Sequence, residues 1–295
     1  MSGSEAVTWR AFFDEAVRRL TEAGFPSPQV DARRIVERAG GFEPAEWYRG
    51  LDEHATRRGV AFFDRMLERR LAGEPLQYVL GRWGFRTLDL LVDRRVLIPR
   101  PETEVVVEHA VAELDRLAQA TERPLVAADL GTGSGAIALS LVAERSRVEV
   151  WAVDVSPEAL EVAGANLAGL GQRASRVRLA EGDWFGALPG ELRGALDLVV
   201  SNPPYVGASE ELPGEVIDWE PGRALIAGPV GTEALEHLLR EAPQWLSRPG
   251  AVVLELAPSQ AERMRRLAEM LGYDEARVEP DLTGRPRVLV ARLRS

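Results

Sequence analysis

Between residues 125 and 256 the sequence alternates short apolar, β-branched runs with helical segments, and this alternation constrains the fold more than any other feature. The runs are 125–130, 148–155, 177–180, 196–201 and 252–256. Each is largely apolar and has the length that buried parallel strands take. Helical patterns lie between them, so the segment reads as an α/β, doubly wound, Rossmann-like sheet. Ligands of such sheets bind beyond the carboxyl ends of the strands. The residues just after each run are therefore the first candidates for chemistry.

The first 80 residues follow a different period. Trp9, Phe12, Phe13, Ala16, Val17 and Leu20 recur at three-and-four spacing until Gly24-Phe25-Pro26 ends the stripe. A second helix is expected over 31–39, stopped by Gly40-Gly41. A third is expected over 53–71, with Val60, Phe63, Met66, Leu67 and Leu71 on one face. This Met and aromatic stripe reads as core packing, and the three helices as a small bundle in a domain of its own, residues 1–80. Residues 81–98 break the period: Trp83, Phe85, Leu88, Leu90, Val92 and Val96 alternate with Gly, Arg, Thr and Asp, as in a β-hairpin linking two domains. Pro99-Arg100-Pro101-Glu102 then opens a helix, with Glu102 and Glu104 at the positive end of its dipole. The remaining domain spans 99–295.

Composition narrows the chemistry. The chain has no cysteine, and all 36 basic residues are arginine. The first absence excludes disulfides, thiolate metal sites, iron–sulfur clusters and cysteine nucleophiles. The second excludes Schiff bases, pyridoxal phosphate anchoring and the lysine of a Walker loop. Three scattered histidines, His54, His109 and His237, form no histidine-rich site, and no metal is expected. The net charge is −10, with 12 Arg against 13 acids in residues 1–80 and 24 against 33 in 81–295. That balance argues against gripping bulk nucleic acid through its phosphates, and no direct nucleic-acid partner is expected. No basic–apolar–small leader pattern and no apolar run near ~18 residues appear, so a cytoplasmic protein without a membrane span is expected.

Four strand ends carry candidate residues. Gly131-Thr132-Gly133-Ser134-Gly135 follows the first run and opens a helix; its glycines allow a tight turn and close approach of backbone N–H groups to a ligand. Dinucleotide enzymes use a related loop. Asp154 ends the second run, where an acid can accept from both ribose hydroxyls, or can cap the helix beginning at Ser156-Pro157-Glu158. After the third run, Asp183 can bond an adenine amino group and Trp184 can flank the ring, or the two can serve as a loop residue and a core aromatic. After the fourth come Ser201-Asn202-Pro203-Pro204-Tyr205, in which the prolines stiffen the strand exit. Asn-Pro also favours a simple turn, but a turn does not call for an amide and an aromatic beside a nucleotide-type loop.

A planar amide or exocyclic amine accounts for that pairing. Its nitrogen lone pair is delocalised, as the ~18–20 kcal/mol barrier to amide rotation indicates, so it is a poor nucleophile. The Asn202 side-chain oxygen and the Pro203 carbonyl can hold both hydrogens of such an NH2 group. Those bonds strengthen as charge grows on nitrogen. Tyr205 can pack on the flat group. This chemistry needs neither a metal nor a covalent enzyme intermediate.

At these residues the chain resembles class I S-adenosylmethionine-dependent methyltransferases, and more narrowly the release factor glutamine methyltransferases. The resemblance extends over nearly the whole chain. It takes in Glu74-Pro75-Leu76-Gln77-Tyr78 with Gly81, the stretch from Val96 through Ile98-Pro99-Arg100-Pro101 to Glu104, the glycine loop and Asn202 to Tyr205. Glu220-Pro221 with Ala224-Leu225, and Asp281-Leu282-Thr283-Gly284-Arg285-Pro286-Arg287, complete it. The resemblance implies methylation of the glutamine side-chain amide in the Gly-Gly-Gln motif of class 1 peptide chain release factors, with S-adenosyl-L-methionine as cofactor and S-adenosyl-L-homocysteine as product. It also implies that Gly131 to Gly135, Asp154 and Trp184 hold the cofactor, that Asn202 to Tyr205 hold the glutamine, and that residues 1–80 help recognise the release factor. Two positions depart from the family pattern: Pro286 stands where a polar residue is expected, and Ala257-Pro258 replaces a glycine-containing turn after Glu255.

Three other activities fit part of the pattern. An adenine-N6 methyltransferase also presents Asn-Pro-Pro-Tyr to a flat NH2 group, but needs a basic surface to track a strand. A ribosomal-protein glutamine methyltransferase is not separated by charge. A dinucleotide-binding dehydrogenase uses the glycine loop but has no role for Asn-Pro-Pro-Tyr.

Overall fold

Local stop and start signals shape the amino-terminal helices. The computed structural model describes residues 7–210 and 213–294 and separates into two units, Met1–Arg82 and Trp83–Ser295. In the first unit the helices are α1 (Trp9–Glu22), α2 (Pro28–Gly40), α3 (Trp47–Gly50), α4 (Arg57–Leu71) and α5 (Leu76–Leu80). Gly41 ends α2 at φ 75°, a left-handed conformation that glycine adopts without steric cost. Helix α4 starts at Arg57 and not at 53, because Thr56 Oγ1 accepts from Gly59 N at 3.1 Å and fixes the first turn there. Helices α3 and α5 are too short for an apolar stripe to announce them. The expected stripes meet in a core of Ala16, Leu20, Ile35, Phe63 and Met66, with Phe12 set edge-on to Phe63 at 5.2 Å.

In the second unit a hairpin of β1 (Arg82–Phe85) and β2 (Leu88–Leu91) turns at Arg86, whose φ is 51°. The Arg86 guanidinium grips both oxygens of Glu144 at 2.5 and 2.9 Å. Asn166 joins the hairpin to the glycine loop: its Nδ2 donates to Leu91 O at 3.1 Å and to Ser134 O at 2.9 Å, and its Oδ1 accepts from Leu91 N at 2.7 Å.

Next come α6 (Pro101–Ala118), β3 (Leu125–Leu130), α7 (Ala136–Glu144), β4 (Val148–Asp154), α8 (Pro157–Ala168), β5 (Val177–Glu181) and β6 (Leu196–Ser201). A two-stranded sheet of β7 (Val206–Gly207) and β8 (Ile226–Gly228) brackets α9 (Gly214–Trp219). The chain ends with α10 (Glu233–Glu241), β9 (Leu246–Glu255), α11 (Ala261–Met270), β10 (Glu275–Pro280) and β11 (Pro286–Leu293).

Seven strands form one sheet in the order β10-β11-β9-β6-β3-β4-β5. The pairs from β9 to β5 are parallel, and β11 runs antiparallel to both its neighbours. Every residue of β6 is buried, including Asp197, which pairs with Arg123, and Ser201, whose hydroxyl donates to Leu130 O. One side of the sheet, including Ala128, Leu130, Val199 and Leu254, packs with Leu235 and Leu238 of α10 and Met264 of α11. Strand β9 begins six residues earlier than its apolar run. The polar and proline-containing stretch 247–250 conceals that first half, which pairs with β6 across a register irregularity at Leu196/Leu198. No helix among the described residues is long and apolar enough to cross a membrane.

Candidate active site

The strand order reverses at β3, because β4 and β5 lie on one side of it and β6 on the other. That is where an open α/β sheet leaves a crevice. A cavity partly open to solvent occupies this place. Its wall collects Gly131, Thr132, Gly133 and Ser134 after β3, Asp154 at the end of β4, Asp183 and Trp184 after β5, and Asn202 and Pro204 after β6. Pro203 and Tyr205 do not reach that wall: Pro203 is buried, and Tyr205 packs against the core. Gly135 is the residue preceding α7, behind the loop.

The three loop glycines have φ of 77°, 54° and 84° at Gly131, Gly133 and Gly135, a region that costs other L-residues roughly 1–2 kcal/mol each. The expected role of their N–H groups is not what the structure holds. Gly131 N and Thr132 N both donate to Val153 O, at 2.9 and 2.8 Å; Gly133 N donates to Asp154 Oδ2 at 2.8 Å, and Gly135 N to Thr132 O at 2.8 Å. Behind the loop, Asp129 Oδ2 accepts from Thr132 Oγ1 at 2.6 Å and from Ala138 N at 3.0 Å, so a carboxyl already sits at the start of α7. Phosphate binding needs free N–H groups at a helix N-terminus. The Gly131, Thr132, Gly133 and Gly135 amides are committed within the protein, while Ser134, Ala136 and Ile137 carry the cavity lining on into the start of α7.

Asp129 is fully buried, and burial pushes its carboxyl up to about 7 against the pull of the Thr132 and Ala138 hydrogen bonds. Its Oδ1 has no partner.

Asp154 latches the glycine loop and does not cap α8. Its Oδ2 holds Gly133 N and its Oδ1 accepts from Ser156 N at 2.9 Å, while the helix cap itself belongs to Ser156, whose Oγ accepts from Ala159 N at 3.3 Å. Each carboxylate oxygen has a second acceptor position, so latching the loop leaves Asp154 able to bond a ligand. Trp184 adopts φ 45°, uncommon for a bulky residue, and this conformation sets its indole beside Gly131, where an added Cβ would lie 3.5 Å from the ring. Asp183 is exposed at the cavity wall.

Beyond β6 the sequence analysis identified Asn202 to Tyr205 but not the residues that hold them. Asn202 Nδ2 donates to Thr103 Oγ1 at 3.1 Å, and Thr103 Oγ1 donates to Glu255 Oε2 at 2.7 Å. Tyr205 OH donates to Glu255 Oε1 at 3.3 Å. Glu255 is 1% exposed; burial raises its carboxyl to about 7, opposed by the Thr103 hydrogen bond and the Arg287 charge. Gln260 Nε2 donates to Tyr205 O at 2.8 Å and to Gly231 O at 3.0 Å. The Ala257-Pro258 departure thus forms the turn that aims Gln260 at the Tyr205 backbone. Glu255 could have been found from sequence, because it stands at the end of the fifth apolar run, as Asp154 does at the end of the second. Glu220, 6% exposed, accepts from Ile98 N at 3.2 Å and from Arg100, joining the segment before α6 to the one after α9.

The mixed seven-stranded sheet, with β11 antiparallel between β10 and β9, a glycine loop after β3 and a cavity where the strand order reverses, has the class I methyltransferase fold. A methyltransferase from Pyrococcus furiosus has the same fold, with a TM-score of 0.51 at 21% identity over 77% of this chain and 98% of that one. The family described as PrmC N-terminal domain matches residues 12–81, and the family described as Methyltransferase small domain matches residues 112–216. The release factor glutamine methyltransferase of Moorella thermoacetica is 40% identical over 97% of this chain and 98% of its own length. That of Cereibacter sphaeroides is 39% identical over 94% and 96%. The chain belongs to the release factor glutamine methyltransferase family.

Proposed function

We propose that the chain transfers a methyl group from S-adenosyl-L-methionine to the side-chain amide nitrogen (N5) of the glutamine in the Gly-Gly-Gln motif of class 1 peptide chain release factors, leaving S-adenosyl-L-homocysteine. When bound, the cofactor supplies an electrophilic methyl carbon on a sulfonium. The protein contributes binding and orientation. Gly131 to Gly135 form the floor, Asp154 accepts from the ribose hydroxyls, Asp183 accepts from the adenine amino group and Trp184 flanks the ring.

Asn202 Oδ1 and the Pro203 carbonyl accept from the two hydrogens of the glutamine NH2. They hold the group so that its lone pair points out of the amide plane, and they tighten as charge develops on nitrogen. Tyr205, packed against the core with its hydroxyl on Glu255, braces the strand exit that carries Asn202. Residues 1–80 recognise the release factor, 81–98 link, and 99–295 carry the transfer, in the cytoplasm. The observation that carries this reading is the state of Asn202: it stands at the cavity wall with Nδ2 spent on Thr103, which leaves Oδ1 as its acceptor.

The test incubates the protein with labelled cofactor, purified release factor and, separately, an adenine-containing oligonucleotide, and locates the methyl group by mass spectrometry. Label on the Gly-Gly-Gln glutamine, lost in Asn202→Ala with cofactor binding largely intact, is the expected result. Label on the oligonucleotide, or near-wild-type turnover by that variant, overturns the reading.

A further inference from the structure

We propose that Thr103 and Glu255 are positioning residues that fix which way the Asn202 amide points, and thereby which of its polar atoms meets the substrate. The inference rests on the role assigned to Asn202 above. The three residues come from distant parts of the chain: Thr103 from the first turn of α6, Glu255 from the last position of β9, and Asn202 from the strand exit after β6. Thr103 is 4% exposed and Glu255 1%, so water does not offer either an alternative partner.

The argument follows from counting hydrogens. Once ionised, above the value of about 7 to which burial raises it, the Glu255 carboxyl only accepts, and a threonine hydroxyl has a single hydrogen to give. Glu255 Oε2 takes that hydrogen at 2.7 Å, and its Oε1 is met by the Tyr205 hydroxyl at 3.3 Å. Thr103 Oγ1 can then only accept from its other neighbour. The Asn202 group 3.1 Å away must donate, so it is Nδ2. Turning the amide over would set Oδ1 against an oxygen with no hydrogen left for it, and would present an NH2 group to a substrate that itself needs acceptors. A glutamine at position 255 would remove this constraint, because its own NH2 could donate to Thr103 and free the threonine hydrogen for Asn202 Oδ1. Both orientations of the amide would then be satisfied.

Kinetics with release factor and S-adenosylmethionine test the chain of contacts in Thr103→Val, Thr103→Ser and Glu255→Gln. Thr103→Val keeps the shape and removes the hydroxyl. It should lower kcat about tenfold or more, with the dissociation constant for S-adenosylhomocysteine within about twofold of wild type; the lost bond corresponds to about one factor of ten. Thr103→Ser should restore kcat to within about twofold. Glu255→Gln should lower kcat while cofactor affinity holds, and it keeps the proposal falsifiable if Thr103→Val fails to fold. A kcat within twofold of wild type in Thr103→Val or in Glu255→Gln overturns the proposal, as does an equal loss in Thr103→Ser and Thr103→Val, which would indicate packing alone. Failure of the underlying reading looks different: Asn202→Ala itself would then turn over.

Discussion

Glu255→Gln should also change how stability depends on pH. The Glu255 carboxyl is buried beside Thr103, Tyr205 and the Arg287 charge, and burial moves it from 4.5 up to about 7. In the unfolded chain it titrates near its ordinary value. Between those two values the folded protein keeps a proton that the unfolded chain releases, so the folded state binds more protons and stability falls as pH rises. The stabilising contribution is fully present below about 4.5 and is lost once the pH passes about 7. The gap corresponds to about 3 kcal/mol, at 1.36 kcal/mol for each tenfold change in proton concentration. Glutamine cannot ionise. The measurement is urea unfolding of wild type and Glu255→Gln at pH 5 and pH 8, taking the difference between the two proteins at each pH so that groups common to both cancel. Wild type should lose about 3 kcal/mol relative to the variant across that interval. Parallel pH profiles would refute the claim that this carboxyl is buried without a compensating ion pair.

Two further substitutions probe the cavity walls. Asp154→Ala removes the acceptor of Gly133 N and Ser156 N together with the proposed ribose contact; at about 1.5–3 kcal/mol per bond to a charged group, calorimetric affinity for S-adenosylhomocysteine should fall about a hundredfold or more. Unchanged affinity would reduce Asp154 to a latch for the loop. Gly231→Ala would place a Cβ 2.8 Å from both Tyr205 O and Gly207 N at a φ of 86°, displacing the segment that Gln260 holds. Its kcat should fall about tenfold with cofactor affinity little changed, since tenfold is about 1.4 kcal/mol and the clash exceeds that; turnover at the wild-type rate would count against that backbone being critical.

The parts of the fold that were legible in sequence are those written in local periodicity. The runs at 125–130 and 196–201 match β3 and β6 end for end, because buried strands are apolar almost throughout, with only Asp129, Asp197 and Ser201 polar among their residues. The first half of β9 stayed hidden behind Ser247 to Gly250, and β10 behind Glu275, Arg277 and Glu279, the charges of an edge strand. At the site, Asp154 and Asn202 were visible because they end apolar runs next to a glycine loop. Thr103 was not singled out, since its meaning depends on Glu255, 152 positions away, and no local pattern encodes a hydrogen bond of that span. The inward commitment of the loop donors was equally invisible, because the same glycines serve either use.

That commitment bears on how such a pocket can diverge. A loop whose Gly131, Thr132 and Gly133 amides are satisfied by Val153 and Asp154 is held in shape from the carboxyl end of β4, so exchanging side chains on the rim leaves its turn as it is. Acceptor specificity, by contrast, sits in side chains on other strands, and it can drift while the floor of the pocket stays as it is.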